Sequence, residues 1–211
     1  NTKNIKLIGS TTLSIYKTLK PQNINEKFKI CYISQWTKDS LLQKNNLTNP
    51  KILNILKLEK NLKKFLSKYD YSIVFALRSS QKDEEYEHFN LNFGKRGKIH
   101  SRKNYFDTYE LIEKSDVSLT GWSTCGYEAF ADNNKVLFNP YNSTDLQLFN
   151  NDLCTIEDDN FDVFENKLIN LLNISNDEFY EKTFKDQNNI IDRSCLQNSY
   201  LKVKDKILEL A

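Results

Sequence analysis

The sequence predicts an α/β fold: a doubly wound, Rossmann-like parallel sheet of about six strands with helices on both faces. Three observations predict it. Short apolar runs rich in β-branched and aromatic residues alternate with longer stretches whose apolar residues recur at helical spacing. The runs at 28–36 and 71–77 are apolar at most positions rather than at alternate ones, as in strands covered on both faces. Each run ends in a short polar loop, and right-handed crossovers gather such loops at one sheet edge, in a strand order such as 3-2-1-4-5-6.

Taken in order, residues 4–10 read as a strand closing on Gly9 and Ser10, followed by a polar loop around 21–26. Residues 28–36 are the strongest strand. A turn-rich loop at 45–50 leads into an amphipathic helix at 51–69, with Ile52, Ile55, Leu62 and Phe65 on one stripe and lysines on a solvated face. A second buried strand at 71–77 ends at Arg78, Ser79 and Ser80. An acidic helix at 81–93, a short strand at 98–100 and a helix at 106–115 follow. After a strand ending at Phe138 come a weak strand at 153–156 and helices at 161–172, 177–185 and 194–210. The chain divides as 1–27, a connecting segment or remnant of a preceding half; 28–190, the α/β domain; and 191–211, a C-terminal helix.

With 211 residues, 39% of them hydrophobic, the chain can bury a proper core. No apolar run approaches the ~20 residues of a membrane span, and no signal peptide is visible. A net charge of +2 predicts no broad nucleic-acid field. Local basic patches at 95–98 and at Arg102 and Lys103 suit a phosphate or peripheral contact with a membrane surface. Cys31, Cys125, Cys154 and Cys195 show no metal-ligand spacing, so reduced, buried thiols in a cytoplasmic protein are expected, at the inner face of the membrane if such contact is made. His88 and His100 are the two histidines. Methionine is absent, the initiator included, so the sequence reads as a piece of a longer chain.

The chemistry concentrates at 116–138: a short strand, Gly121, Trp122 and Ser123, a helix from Thr124, and a second strand from Lys135. So sharp a strand-to-helix turn leaves the first helical amides at the edge of the sheet, where they form a phosphate seat. Ser123 or Thr124 can cap the helix, Gly121 and Gly126 keep side chains clear of an approaching ligand, and Glu128 stands one turn in, placed to accept from vicinal hydroxyls. The plainer reading of the same residues is an ordinary cap and a solvated first-turn acid. The helix dipole adds only roughly 0.3–1 kcal/mol for an anion, so other loops must contribute. Those at Ser34, Gln35 and Trp36, at Arg78 and Ser79, at His100 and Ser101, and at Trp122 are expected to converge there.

With those loops in hand, the sequence resembles the C-terminal, nucleotide-sugar-binding half of GT-B glycosyltransferases of bacterial capsule and surface-carbohydrate biosynthesis. The resemblance rests on Asp107, Tyr109, Glu110, Leu111, Ile112 and Asp116, then on Ser123, Thr124, Gly126, Glu128 and Ala129, then on Lys135 before a strand. It covers about residues 98–140 well and the remainder by layout, with the segment ending at Gly9 and Ser10 as the hinge between halves. It implies that Ser123 and Thr124 bind donor phosphate and that Glu128 binds ribose. Many relatives carry a histidine-proline pair after the strand matching 71–77; here Arg78 and Ser79 stand instead, and Arg78 offers a bidentate fork for phosphate. The departure leaves a cytidine-monophosphate sugar and a uridine- or guanosine-diphosphate sugar both open. Trp36, Trp122, Gln35 and His100 complete the nucleoside candidates. The resemblance also implies a glycan or lipid-linked acceptor and a catalytic base in an acceptor-binding N-terminal half, in the same chain or a separate subunit; no catalytic residue is named in this one. No metal or cofactor is required, since no Asp-x-Asp lies in a strand-end loop. Two other functions fit the layout: a nucleotide-sugar epimerase, which needs carboxylates and histidines near the sugar, and a non-catalytic interaction module using Trp36, Trp122 and Tyr105 as a partner surface.

Overall fold

In the computed structural model, residues 10–20, 23–36, 50–78, 82–141, 150–191 and 199–210 are described. Five parallel strands form its sheet: β1 (Phe28–Ile33), β2 (Ile73–Ala76), β3 (Lys98–His100), β4 (Ser115–Thr120) and β5 (Val136–Phe138), in the order β3-β2-β1-β4-β5. The register pairs Tyr32 with Phe75 and with Leu119, so β1 is the central strand, hydrogen-bonded on both edges. Its residues Ile30 and Cys31 are both fully buried, which explains why the run is apolar without alternation. The expected sixth strand at 153–156 reduces to one parallel bridge, Thr155 beside Phe138, closed by Phe138 N–H to the Cys154 carbonyl at 2.7 Å and Ile156 N–H to the Phe138 carbonyl at 2.8 Å.

Helices α2 (Pro50–Lys68) and α3 (Lys82–Phe93) connect strands that step outward from β1 to β3. Helix α4 (Asp107–Glu113) carries the chain back to β4, and α5 (Thr124–Ala131) continues to β5. Right-handed crossovers that step in opposite directions lie on opposite faces, so the sheet is doubly wound with its switch point between β1 and β4. Helix α6 (Phe161–Asn173) joins the α2 face, and α7 (Asn176–Ile190) packs on α5. Aromatic rings fill the α2–α3 face: Tyr32, Phe75, Phe89 and Phe93 interlock with centroids 4.8–6.1 Å apart, and Phe65 meets Phe164 edge-on. Burying each such ring contributes roughly 1.5–3 kcal/mol.

One helix was not expected. Helix α1 (Thr11–Leu19) is built on Thr11, Thr12, Ile15 and Thr18, which favour strands. It forms because the Ser10 hydroxyl accepts from Leu13 N–H at 3.1 Å and because Leu13 and Tyr16 are buried against Tyr109 in a small second core. Tyr16 stacks on Tyr109 at 5.3 Å, and Lys17 bridges Glu113 and Asp132 at 2.9 and 2.5 Å. Helix α8 (Ser199–Leu210) packs on α1, with Ser199 N–H donating to the Ser14 hydroxyl at 3.1 Å. Of the expected strand at 4–10 only Ser10 is described, as the cap of α1; residues 4–9 with Gly9 of the hinge, Ser79 and Cys195 lie outside the described residues.

Candidate anion-binding site at the strand ends

All the strands are parallel, so the loops after Ile33, Ala76, His100 and Thr120 leave the sheet at the same edge. β1 separates β2 from β4, which sets the loops after those two strands roughly 10 Å apart by ordinary strand spacing. Helix α5 opens on that edge. Its cap is Ser123, in extended conformation (φ −65°, ψ 137°), and the Ser123 side chain makes no capping hydrogen bond. The first turn carries no acid, and Thr124 is exposed. The intrahelical ladder starts with Tyr127 N–H donating to the Ser123 carbonyl at 3.1 Å, so the amides before it point outward from the helix end.

Gln35 holds this turn in place. Its side-chain carbonyl accepts from Trp122 N–H at 2.9 Å and from the Thr120 hydroxyl at 3.2 Å. A Cβ at Gly121 would come within 2.7 Å of that same Gln35 oxygen, which would have to leave the Trp122 N–H and the Thr120 hydroxyl to make room. Gly126 is constrained from inside: a Cβ would meet the Thr120 methyl at 2.7 Å and the Phe138 ring at 3.4 Å. Packing within the chain thus fixes Gly126, whereas Gly121 leaves room for the Gln35 side chain that holds the turn.

Glu128 differs from its expected setting. It is buried (9% exposed), and its carboxylate accepts from the hydroxyls of Ser10 and Tyr109. Burial, followed by the neighbouring Cys125 and Glu128, pushes the Tyr109 phenol well above its ordinary range. Burial likewise raises the Cys125 thiol, so it is not a nucleophile poised at neutral pH. Ligand hydroxyls would have to share Glu128 with Ser10 and Tyr109 or displace them.

Trp36 requires a correction. Its ring is 1% exposed, lying beside His88 at 6.3 Å, and offers neither a stacking wall for a base nor a partner surface. A strand covered on both faces gives no inside–outside phase by which its last residue could have been assigned. Trp122 is partly buried against the main core, whereas Tyr105 is 61% exposed beneath the Arg102 guanidinium at 4.8 Å. The His100 ring meets the Asp107 carboxylate at 3.0 Å. Asp107 also accepts from Lys103 N–H at 2.7 Å and Asn104 N–H at 3.2 Å. Burial raises the Asp107 carboxyl, but these bonds outweigh it and hold it below the ordinary value. Asp107 thus gathers the loop at 101–106, and His100 is bound to it.

Arg78 is exposed, and its guanidinium donates to the Trp36 carbonyl at 3.4 Å. Its backbone N–H donates to both carboxylate oxygens of Glu85, at 3.1 and 2.9 Å. Glu85 was not among the expected site residues. The signal for it is helical phase, since Glu85, Phe89 and Phe93 recur every four residues on the buried stripe of α3. A groove of about 790 Å³ runs between α2 and α3, lined by Trp36, Ile55, Glu59, Lys63, His88 and Leu91 among others. Among the described residues no three His, Cys, Asp or Glu side chains gather as metal ligands would.

Sheet order, switch point and the helix opening on the strand ends define a Rossmann-like, doubly wound α/β domain. Solved structures share it. The UDP-GlcNAc 2-epimerase of Neisseria meningitidis bound to UDP-GlcNAc superposes with a TM-score of 0.56 at 13% identity, over 96% of this chain and 54% of that one. The S. aureus MnaA–UDP co-structure gives 0.58 at 14%, over 98% and 54%. The Methanocaldococcus jannaschii UDP-GlcNAc 2-epimerase in complex with UDP-GlcNAc and UDP gives 0.57 at 14%, over 98% and 56%. The chain spans about half the length of the structures it matches, and at these identities the likeness is one of fold. No protein-family model matches the chain, and no curated protein matches it in sequence.

Proposed function

We propose that this chain is the nucleotide-sugar-binding half of a two-lobed enzyme, and that the reaction is transfer of the sugar to a glycan or lipid-linked acceptor in surface-polysaccharide synthesis. The observation that carries the reading is the amino end of α5: Ser123 does not cap it, no first-turn acid neutralises it, and Gln35 aims it along the strand-end edge. The donor diphosphate sits on the Ser123, Thr124 and Gly126 amides and hydroxyls, with Arg78 closing from the β2 side. Both act on the charge that grows on the departing phosphate, the step at which fixed dipoles stabilise a transition state most. Glu128 meets the ribose once Ser10 yields. The acceptor and its base belong to the other half of the enzyme, and residues 28–190 are the part that folds around the donor. The enzyme works in the cytoplasm or at the inner face of the membrane; among the described residues no helix is long and apolar enough to cross one.

A second reading, a nucleotide-sugar epimerase, is favoured by one observation: two of the three structures named above are UDP-GlcNAc 2-epimerases. Against it, the strand-end His100 is already committed to Asp107 within the chain. A melting-temperature panel of uridine, cytidine, guanosine and thymidine diphosphates at millimolar concentration tests the shared claim. At 100 times Kd a bound nucleotide adds about 2.7 kcal/mol of stability. No shift with any of the four, nor with cytidine monophosphate, rejects nucleotide binding. Given binding, 2-epimer formed from UDP-GlcNAc without acceptor selects the epimerase.

A further inference from the structure

The Ser34 hydroxyl donates to Glu85 at 2.5 Å while accepting from Trp36 N–H at 3.2 Å. The Arg78 N–H forks across both Glu85 oxygens. Ser34 directly follows β1, and Arg78 lies two residues beyond β2. Gln35, the next residue after Ser34, holds Trp122 and hence the turn into α5. One fully buried carboxylate on α3 therefore ties the loops after β1 and β2 together directly and, through Gln35, bears on the loop after β4.

We infer that Glu85 is a proton-controlled positioning residue: ionised, it fixes the Arg78 backbone and the Ser34–Gln35 turn in the geometry that receives the donor phosphates; protonated, it lets them go. This rests on the nucleotide-binding reading for its functional consequence, but not for the latch itself. The hydrogen-bond pattern suits the anion: both oxygens face donors, the Ser34 hydroxyl on one and the Arg78 N–H across the two. A proton on Glu85 must either displace the Arg78 N–H from one oxygen or turn the Ser34 hydroxyl round to accept it, and in both cases the Arg78 amide loses its charge-assisted partner. The charged and titratable groups facing Glu85 are Arg78 and His88, which favour the anion, and the Tyr32 phenol. Burial outweighs them and pushes the carboxyl up to about 7, so the change falls near neutral pH.

The test uses the ligand-free protein first. Amide-exchange protection, corrected for intrinsic rates, is measured at the Arg78 and Trp122 N–H groups at pH 8 and pH 6. Protection at Arg78 should fall about tenfold at pH 6, the loss expected of one charge-assisted hydrogen bond, and the Trp122 amide should follow more weakly. Glu85→Gln should show the low value at both pH values. Ser34→Ala, which keeps the acid, should show partial loss at pH 8 and guards against a Gln variant that fails to fold. UDP-GlcNAc affinity is then measured at the same pH values, since both its phosphates are esterified and neither titrates in this window. Wild type should weaken about tenfold at pH 6, while Glu85→Gln should be weak and flat. Unchanged Arg78 protection, or a Glu85→Gln protein that keeps wild-type affinity and pH profile, overturns the inference. If protection follows Glu85 but no nucleotide sugar or nucleotide binds at either pH, the latch stands and the binding reading falls.

Discussion

Helices α5 and α6 pack on opposite faces of one sheet and treat their ends in opposite ways. At the start of α6, the Asn160 side-chain oxygen accepts from Asp162 N–H at 2.8 Å and Val163 N–H at 3.4 Å, and Asp162 places negative charge in the first turn. At its other end, the buried Lys135 ammonium donates to the carbonyls of Leu171 and Ile174, at 3.2 and 2.6 Å. Both ends of α6 are satisfied by the chain itself. Helix α5 has a serine in the cap position that makes no cap bond and a first turn without an acid, although its neighbour α7 shows what a serine cap does when used: Ser175 accepts from Glu178 N–H at 3.1 Å. Helix α6 closes both of its ends internally, whereas α5 leaves its first amides facing the strand-end edge. That difference is the reason for proposing a ligand at α5 rather than at α6.

The largest effect should come from giving α5 the end that α6 has. Ser123→Asp supplies both a cap and a charge, so the protein should gain roughly 0.3–1 kcal/mol in stability while anion binding at the same amides is lost. Nucleotide affinity should drop at least about tenfold, since an acid at the seat repels phosphate and occupies its donors. Calorimetric titration alongside thermal melts reads both quantities. A variant that is stabilised and still binds at wild-type strength would place the phosphate elsewhere and dissolve the contrast between the two helices.

Much of this fold was legible in residue pattern alone. The apolar runs at β1, β2 and β4 and the periodic helices α2 and α6 emerge close to their expected bounds, because each satisfies its own local pattern. Helix α1 did not, because Thr11, Thr12, Ile15 and Thr18 argue against it locally and only contacts with Tyr109, Glu113 and Glu128 make it a helix. The Ser123 turn was visible as a sharp strand-to-helix junction. The partners of Glu128 and Gln35 were not, since Ser10 lies 118 residues from Glu128 and Gln35 lies 87 from Trp122. Sequence reports that a carboxylate or an amide is present near an edge; only the fold decides whether it turns to a ligand or to its own chain. Trp36 shows the same limit, and Glu85 the converse, a residue hidden beside Glu84 in an acidic stretch until helical phase is counted against Phe89 and Phe93.

The next effect concerns the far end of α6. Lys135→Met removes the ammonium that closes the helix and leaves two buried carbonyls without their donor, so stability should fall by about 1–3 kcal/mol. Nucleotide affinity should not change. The pH dependence has a definite sign. Burial lowers the Lys135 ammonium below its ordinary 10.5, so the folded protein releases this proton before the unfolded chain does. Between those two values the unfolded state binds more protons, and Lys135 makes stability rise with pH. Denaturant melts at pH 8 to 10.5 should show that slope in wild type and a flatter one in Lys135→Met. An equal slope in both would mean the ammonium titrates unperturbed and is not the group that ends α6.

The smallest effect is the control that the contrast most needs. Asn160→Ala should cost about 1 kcal/mol, the ordinary value of an amino-terminal cap whose two amides are left to water. It should leave nucleotide binding and its pH profile untouched. Ser123→Ala, the same kind of truncation at α5, should do the reverse: little change in stability, because no cap bond exists to lose, and weaker nucleotide binding through the missing hydroxyl. If instead Ser123→Ala destabilises as much as Asn160→Ala and binding is unmoved, α5 is capped in solution like its neighbours, and its open end is no longer a reason to look for a phosphate there.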